Sequence, residues 1–258
     1  MVRPKKHLGQ HFLTDPSIAE RIVKAMDVNS GETVVEVGPG TGILTGFLLD
    51  KKIHLLPVEI DPESVAYLRQ KWPELDDQVI EDDILTVAFD DHIAGPFHLI
   101  GNFPYNISSQ IFFRVLDHRD RIPSIVCMIQ KEVAGRIASP PGSREYGILS
   151  VLLQAYYHIE YLFTVKPGSF FPPPRVTSAV IRLSRNRTDK LACDEKLFFR
   201  VVKTTFNQRR KMIRNSIRSI LLNLENDFDL LSKRPEQLGV PEFVELTNWI
   251  ESQLKEEL

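Results

Sequence analysis

The stretch Val34-Val35-Glu36-Val37-Gly38-Pro39-Gly40-Thr41-Gly42 limits what this chain can fold into more than any other. An apolar run enters a glycine turn, and Ile43, Leu44, Phe47 and Leu48 then recur at helical spacing, so the local order is strand, turn, helix. Glycines suit such a turn because the chain reverses tightly and its bare backbone can approach a ligand. The helix start adds unpaired N–H groups. The spacing is G-x-G-x-G, which departs from the G-x-G-x-x-G form expected beneath a dinucleotide pyrophosphate. A second apolar run, His54 to Val58, ends in Glu59, 21 residues beyond Gly38, where a carboxylate can accept both hydroxyls of a ribose. Turn and acid together point to an adenosine group, and no pyrophosphate is required.

The pattern continues as alternating elements. Helical spacing is expected from Thr14-Asp15-Pro16 onward, through Ile18, Ile22, Val23 and Met26, and again from Pro62 to Trp72 and through Ile111, Phe112, Val115 and Leu116. Short strands are expected at Gln78–Glu81, Pro96–Gly101 and Ser124–Gln130, followed by Ala155–Val165 and Thr177–Leu183 with no helix between these last two. This rhythm predicts an α/β fold, a Rossmann-like, mostly parallel sheet of seven strands with an antiparallel pair at its end. The polar segment Ser184 to Lys190 is read as a boundary, dividing the chain into residues 1–185, with 1–13 as an N-terminal arm, and an all-helical domain over 186–258.

Charge is unevenly placed. The net charge is −2, yet between Lys196 and Leu222 there are eight basic residues and no acid. Beyond Leu222 acids dominate, with Glu225, Asp227, Asp229, Glu236, Glu242, Glu245, Glu251, Glu256 and Glu257 against Lys233, Arg234 and Lys255. A positive stripe on an otherwise acidic chain points to a local polyanion contact. No apolar run approaches the roughly 18 residues that span a bilayer, and the arm leads into no apolar signal, so a cytoplasmic protein without a membrane role is expected. Cys127 and Cys193 have no metal-ligand spacing and are read as free thiols.

In an open parallel sheet, ligands bind beyond the carboxyl ends of the strands. Gly38 to Gly42, Glu59, Asp83 and Asn102 all fall at such ends. Asp83, or Asp82 beside it, is placed to accept from an adenine amine. Asn102-Phe103-Pro104-Tyr105 adds an amide, a stiffened backbone and an aromatic ring. Such a group fits amine methylation: acceptors that hold the amine hydrogens out of plane localise a lone pair otherwise spread into the ring. With a sulfonium donor no metal is needed, and Tyr105 or Phe103 would stack on a base taken out of its own stack.

These residues resemble the KsgA/RsmA family of small-subunit rRNA adenine dimethyltransferases, which are class I methyltransferases. The likeness runs through Lys6 to Leu13, Val34 to Gly40, Glu59-Ile60-Asp61, Gly101 to Ser108, Gln130 to Val133, Phe171 to Val176 with Ser178-Ala179-Val180, and Phe206 to Lys211. The resemblance implies S-adenosylmethionine as cofactor and S-adenosylhomocysteine as product. It further implies dimethylation of two adjacent adenosines near the 3′ end of the rRNA, on a partly assembled 30S-type subunit late in ribosome biogenesis, by a monomer. Carried over by position, His11, Leu13, Gly38, Gly40, Glu59, Ile60, Asp83 and Asn102 are cofactor contacts, and Asn102 to Tyr105 form the target-base pocket. The family usually has asparagine where this chain has His11; a backbone contact survives that change and a side-chain amide contact does not. Arg209, Arg210, Lys211, Arg214 and Arg218 are assigned to RNA phosphates. Phe171 and Arg175 either wall the base pocket or belong to a rigid connector.

Three other readings fit part of the pattern. A macrolide-resistance methyltransferase would act on an adenine of large-subunit rRNA, and the Phe206 to Lys211 run speaks for the small-subunit family instead. A binding protein that keeps the fold without activity would not need Glu59, Asn102 and Tyr105 together. A nicotinamide dehydrogenase would prefer the other glycine spacing.

Overall fold

In a computed structural model, which describes residues 2–221 and 228–256, the chain forms two compact units. The first comprises residues 1–134 and 158–185, the second residues 135–157 and 186–258. The division expected at 185/186 therefore differs from the packing, because residues 135–157 gather with the C-terminal helices. Glu225, Asp227 and Glu257 of the acidic stretch lie outside the described residues.

The elements follow in order as β1 (Phe12–Leu13), α1 (Pro16–Lys24), β2 (Thr33–Val37), α2 (Ile43–Leu49), β3 (His54–Glu59), α3 (Pro62–Lys71), β4 (Ile80–Glu81) and β5 (Phe97–Asn102). Then come α4 (Ser108–Asp117), β6 (Ser124–Gln130), α5 (Lys131–Ala138), α6 (Ile148–Gln154), β7 (Tyr157–Val165), β8 (Phe170–Phe171) and β9 (Ser178–Arg185). The chain closes with α7 (Glu195–Asn207), α8 (Ile213–Ser216) and α9 (Val240–Glu256). Seven strands form one sheet in the order β4-β3-β2-β5-β6-β9-β7. β2 pairs in parallel with β3 and β5, β3 with β4, and β5 with β6, while β9 runs antiparallel to β6. The two remaining strands, β1 of the arm and β8, pair antiparallel as a separate ribbon, Phe12 opposite Phe171 and Leu13 opposite Phe170.

Side-chain alternation along the strands explains the layers. Val34, Leu55, Ile100, Val126, Met128 and Val180 share one cluster with Ile22 of α1, Leu48 of α2 and Leu68 of α3. Asp15 and Asp61 cap α1 and α3 through their carboxylates, each followed by a proline at the first helical position. Helix α1 packs beside α2 and against β6. Two helices, α5 and α6, occupy the stretch between β6 and β7 that gave no helical expectation, and the run from Ile213 to Leu221 breaks into α8 and a 3-10 turn. No helix among the described residues is long and apolar enough to cross a membrane.

In the second unit Phe198, Phe206 and Phe243 cluster with Tyr146, which is buried. Both cysteines are free thiols, and burial pushes the pKa of Cys193 up to about 11.

Two features of the sheet are directly testable. At Gly101, a Cβ would lie 2.5 Å from the Val37 carbonyl oxygen on the neighbouring strand, so Gly101→Ala should destabilise the protein by about 1–3 kcal/mol, read from urea denaturation. At the opposite ends of the strands, buried His98 meets Ser124 Oγ at 2.6 Å through Nδ1 and Glu32 at 3.3 Å through Nε2. Burial holds its pKa below the ordinary 6.5, against the pull of Glu32. The unfolded chain therefore takes up the proton first, and stability falls as pH drops below about 6.5 until the folded His98 also titrates. Denaturation midpoints at pH 8 and pH 5.5 should differ less in His98→Gln than in the wild type.

Candidate functional site

Register alone brings the chemistry together. Val37 sits opposite Val58 on one side and Gly101 on the other, so the residues that follow, Gly38, Glu59 and Asn102, stand level at the ends of three adjacent strands. β4 ends one strand further out, and Asp82 and Asp83 follow it. Beyond these ends lies a cleft whose empty space is about 910 Å³, open solvent included. It is lined by Gly38, Gly40, Glu59, Ile60, Asp83 and Asn102 among others, with residues 8–12 of the arm and residues 103–107 completing its walls.

The three glycines of the turn have positive φ, but they do different work. A Cβ on Gly38 would meet nothing within 4 Å, so only here does bare backbone face open space. A Cβ on Gly40 would lie 2.7 Å from the Phe12 ring, and one on Gly42 would strike Trp72. Gly40, assigned to the cofactor, therefore also makes room for the arm, and Gly42 makes room for the core.

Glu59 is buried at the end of β3. Its Oε2 accepts from the Gly40 N–H at 3.0 Å and its Oε1 from the Asp61 N–H at 2.9 Å. Burial raises its pKa, and those two N–H groups oppose the rise. Each oxygen keeps a second lone pair, so the carboxylate can still accept from a pair of hydroxyls. Ile60 is 47% exposed within the same cleft, an apolar surface beside the acid. Asp83 Oδ1 accepts from the Leu85 N–H at 2.9 Å, and Asp82 Oδ1 accepts from the Asp83 N–H at 2.7 Å.

Asp61 shows why the arm closes one wall. It is fully buried and accepts from Lys5 Nζ, from Gln10 Nε2 at 3.3 Å, from the Glu63 N–H at 3.2 Å and from Ser64 Oγ at 3.1 Å. Burial works to raise its pKa, but Lys5 and the other donors hold it below its ordinary 3.8. Gln10 in turn accepts from the Lys5 N–H at 2.8 Å. Nothing local in the sequence marks this latch, because its partners are more than fifty residues apart.

Asn102 is the most informative side chain. Its Nδ2 donates to the His11 carbonyl at 2.8 Å, which leaves Oδ1 buried without a hydrogen-bond partner among the described residues, in a residue that lines the cleft. An unmatched buried acceptor is costly, so this amide suits a ligand that brings an N–H. Phe103 is different: its ring is fully buried, 5.9 Å from Phe112, so it serves the core and is not a stacking surface for a base. Tyr105 is partly exposed, bonds Ser178 Oγ through its hydroxyl, and stacks on the His11 ring with centroids 5.5 Å apart. Burial raises its pKa. Ile107 donates to the Pro104 carbonyl and Ser108 Oγ to the Tyr105 carbonyl, so both carbonyls are taken up in the turn into α4.

Not every residue assigned from the sequence reaches the cleft. Leu13 is buried in the core and lines a smaller adjoining cavity with Glu36, Thr41 and Ile43. Glu36 is buried there, with its pKa raised to about 8 by burial, and accepts from Thr45 Oγ1 at 2.7 Å. Phe171 and Arg175 are exposed and absent from the cleft lining. In the second unit Arg210, Lys211, Arg214 and Arg218 are exposed, whereas Arg209 donates to the Ser143 carbonyl at 3.2 Å and lies 3.9 Å from Glu236. Residues that sequence reasoning missed include Gln10, Phe12 and Asp61. The family resemblance runs through all three but assigned them no role.

A seven-stranded, mostly parallel sheet with a cleft at its carboxyl ends defines a class I methyltransferase fold. The chain belongs to the family described as Ribosomal RNA adenine dimethylase, whose model matches residues 1–237. It is 57% identical to Ribosomal RNA small subunit methyltransferase A of Phocaeicola vulgatus, covering 99% of this chain and 92% of that one. It is also 57% identical to the protein of that name from Bacteroides thetaiotaomicron, covering 99% and 97%. Among solved structures, a dimethyladenosine transferase from Plasmodium falciparum shares the fold with TM-score 0.78 and 22% identity, over 94% of this chain and 98% of that one. The 23S rRNA methyltransferase ErmE aligns with TM-score 0.68 and 26% identity over 92% and 99%. The chain is thus an rRNA adenine dimethyltransferase of an S-adenosylmethionine-dependent family, and the nicotinamide reading falls.

The arm latch makes a prediction independent of activity. In Lys5→Ala, trypsin should cut after Lys6 severalfold faster than in the wild type, and Asp61→Asn should do the same; equal rates would show that the ion pair does not hold the arm.

Proposed function

We propose that this enzyme transfers methyl groups from S-adenosylmethionine to the N6 amines of two adjacent adenosines near the 3′ end of small-subunit rRNA. The substrate is a partly assembled small subunit, and the enzyme acts as a monomer in the cytoplasm late in ribosome biogenesis. The names carried by the relatives at 57% identity support the small subunit over the large one, to which the 26% identical structure is directed.

The donor set fits the cofactor. Gly38 leaves open space for a ligand against backbone, Glu59 offers lone pairs to ribose hydroxyls, Ile60 an apolar face and Asp83 an acceptor for an adenine amine. When bound, S-adenosylmethionine supplies an electrophilic methyl carbon on a positively charged sulfur. The protein's own task is then alignment and polarisation.

The orphaned Asn102 Oδ1 carries the proposal. We take the carbonyl of the adjoining residue, Phe103, as the second acceptor. Two fixed acceptors that take the N6 hydrogens draw nitrogen lone-pair density out of the purine ring, and no reorganisation is needed at the moment of reaction. Tyr105 offers its ring to the base, and the exposed Arg210, Lys211, Arg214 and Arg218 supply charge for phosphates.

Asn102→Ala should lower methyl transfer to small-subunit particles by at least about a hundredfold while changing particle binding less than about threefold. Purified large subunits should not be methylated. Mass spectrometry of rRNA from a strain lacking the protein should show the two adenosines unmethylated; intact dimethylation there would overturn the assignment.

A further inference from the structure

Position 11 meets the site in three ways, and they separate its backbone from its side chain. The carbonyl accepts from Asn102 Nδ2 at 2.8 Å, a contact any residue could supply. The ring Nδ1 lies 2.8 Å from the Pro172 carbonyl oxygen. Because a carbonyl only accepts, Nδ1 must carry the proton, which fixes the ring's orientation. The ring face lies against Tyr105, with centroids 5.5 Å apart and planes 29° from parallel.

That spacing decides where a base can go. A purine between the two rings would need a centroid separation of about 7 Å, two stacking distances, so the gap is already closed. The Tyr105 hydroxyl is anchored on Ser178 Oγ, at the buried start of β9. Tyr105 is thus held at its edge by Ser178 and on one face by His11, and a single face is left to receive a flat ring.

We propose that the His11 imidazole is a positioning residue for the target adenine, acting through Tyr105, and that the cofactor is served at this position by the backbone alone. The inference rests on the methyltransferase reading above and extends it to the base side of the pocket. Of the two contacts left open for residue 11, backbone or side chain, it takes the backbone one for the cofactor.

Three variants dissect the ring. His11→Phe keeps a stacking face and loses the bond to Pro172, His11→Asn keeps an N–H donor and loses the ring, and His11→Ala loses both. For each, the dissociation constant of S-adenosylhomocysteine is measured by calorimetry, kcat/KM for methyl transfer to small-subunit particles at saturating cofactor is measured separately, and the unfolding midpoint is recorded. His11→Asn and His11→Ala should bind S-adenosylhomocysteine within about twofold of wild type and lose about five- to tenfold in kcat/KM for the particle, the size of one aromatic stacking interaction. His11→Phe should recover most of that loss. A tenfold weaker S-adenosylhomocysteine affinity in His11→Asn with kcat/KM unchanged would overturn the proposal, as would equal losses in His11→Phe and His11→Asn. Should His11→Ala fail to fold, the Phe and Asn pair still decides. Failure of the wild-type protein to methylate any subunit would instead sink the enzymatic reading, and the two failures are therefore distinct.

Discussion

A buried carboxylate whose two oxygens are each held by a backbone N–H ties the site together. Glu59 accepts from Gly40 in the turn after β2 and from Asp61 at the start of α3, so one side chain fixes the spacing of two loops that come from different strands. Burial disfavours its charge, and the two N–H dipoles offset part of that cost. Asp61 then continues the chain of contacts outward through Lys5 and Gln10, which place the arm across the cleft. A cleft wall, a cap and a latch thus share one electrostatic origin.

The chemistry on the other side of the cleft depends on dipoles and not on charges. The amide of Asn102 is turned by the carbonyl of His11 so that its oxygen is left unmatched inside the protein. In a dry site a fixed acceptor acts more strongly than it would in water, and it does not need to reorganise. Tyr105 contributes a ring whose edge and one face are already occupied, which makes the remaining face the place for a flat partner.

Much of this was legible in the letters. The alternation of apolar runs with helical spacing gave the parallel sheet and its antiparallel end, and the residues at strand ends proved to be neighbours because parallel register puts equivalent positions level. Direction was not legible. Phe103 and Tyr105 are two residues apart and both aromatic, yet the first is fully buried beside Phe112 and the second is partly exposed. Gly40 lines the cleft, yet the space where its Cβ would sit belongs to Phe12, and that at Gly42 belongs to Trp72. Leu13 turned inward, and Arg209 spends its guanidinium on Ser143 and Glu236, partners that no local pattern announces. Helices α5 and α6 were not legible either; α6 belongs to the second unit and the division between the units falls within α5, so neither follows the strand rhythm of the sheet.

By itself, the sequence determined which chemical groups exist at the ends of which strands, since strand and helix periods follow from where apolar side chains recur along the chain. It therefore settled the fold class and a set of polar groups able to meet an adenosine and an amine. Tertiary structure alone decided which of those groups keep a free lone pair or a free face. Saturation of a donor or acceptor depends on residues brought near from far along the chain, as Lys5 is to Asp61, His11 to Asn102 and Ser178 to Tyr105, and periodicity carries no record of such meetings.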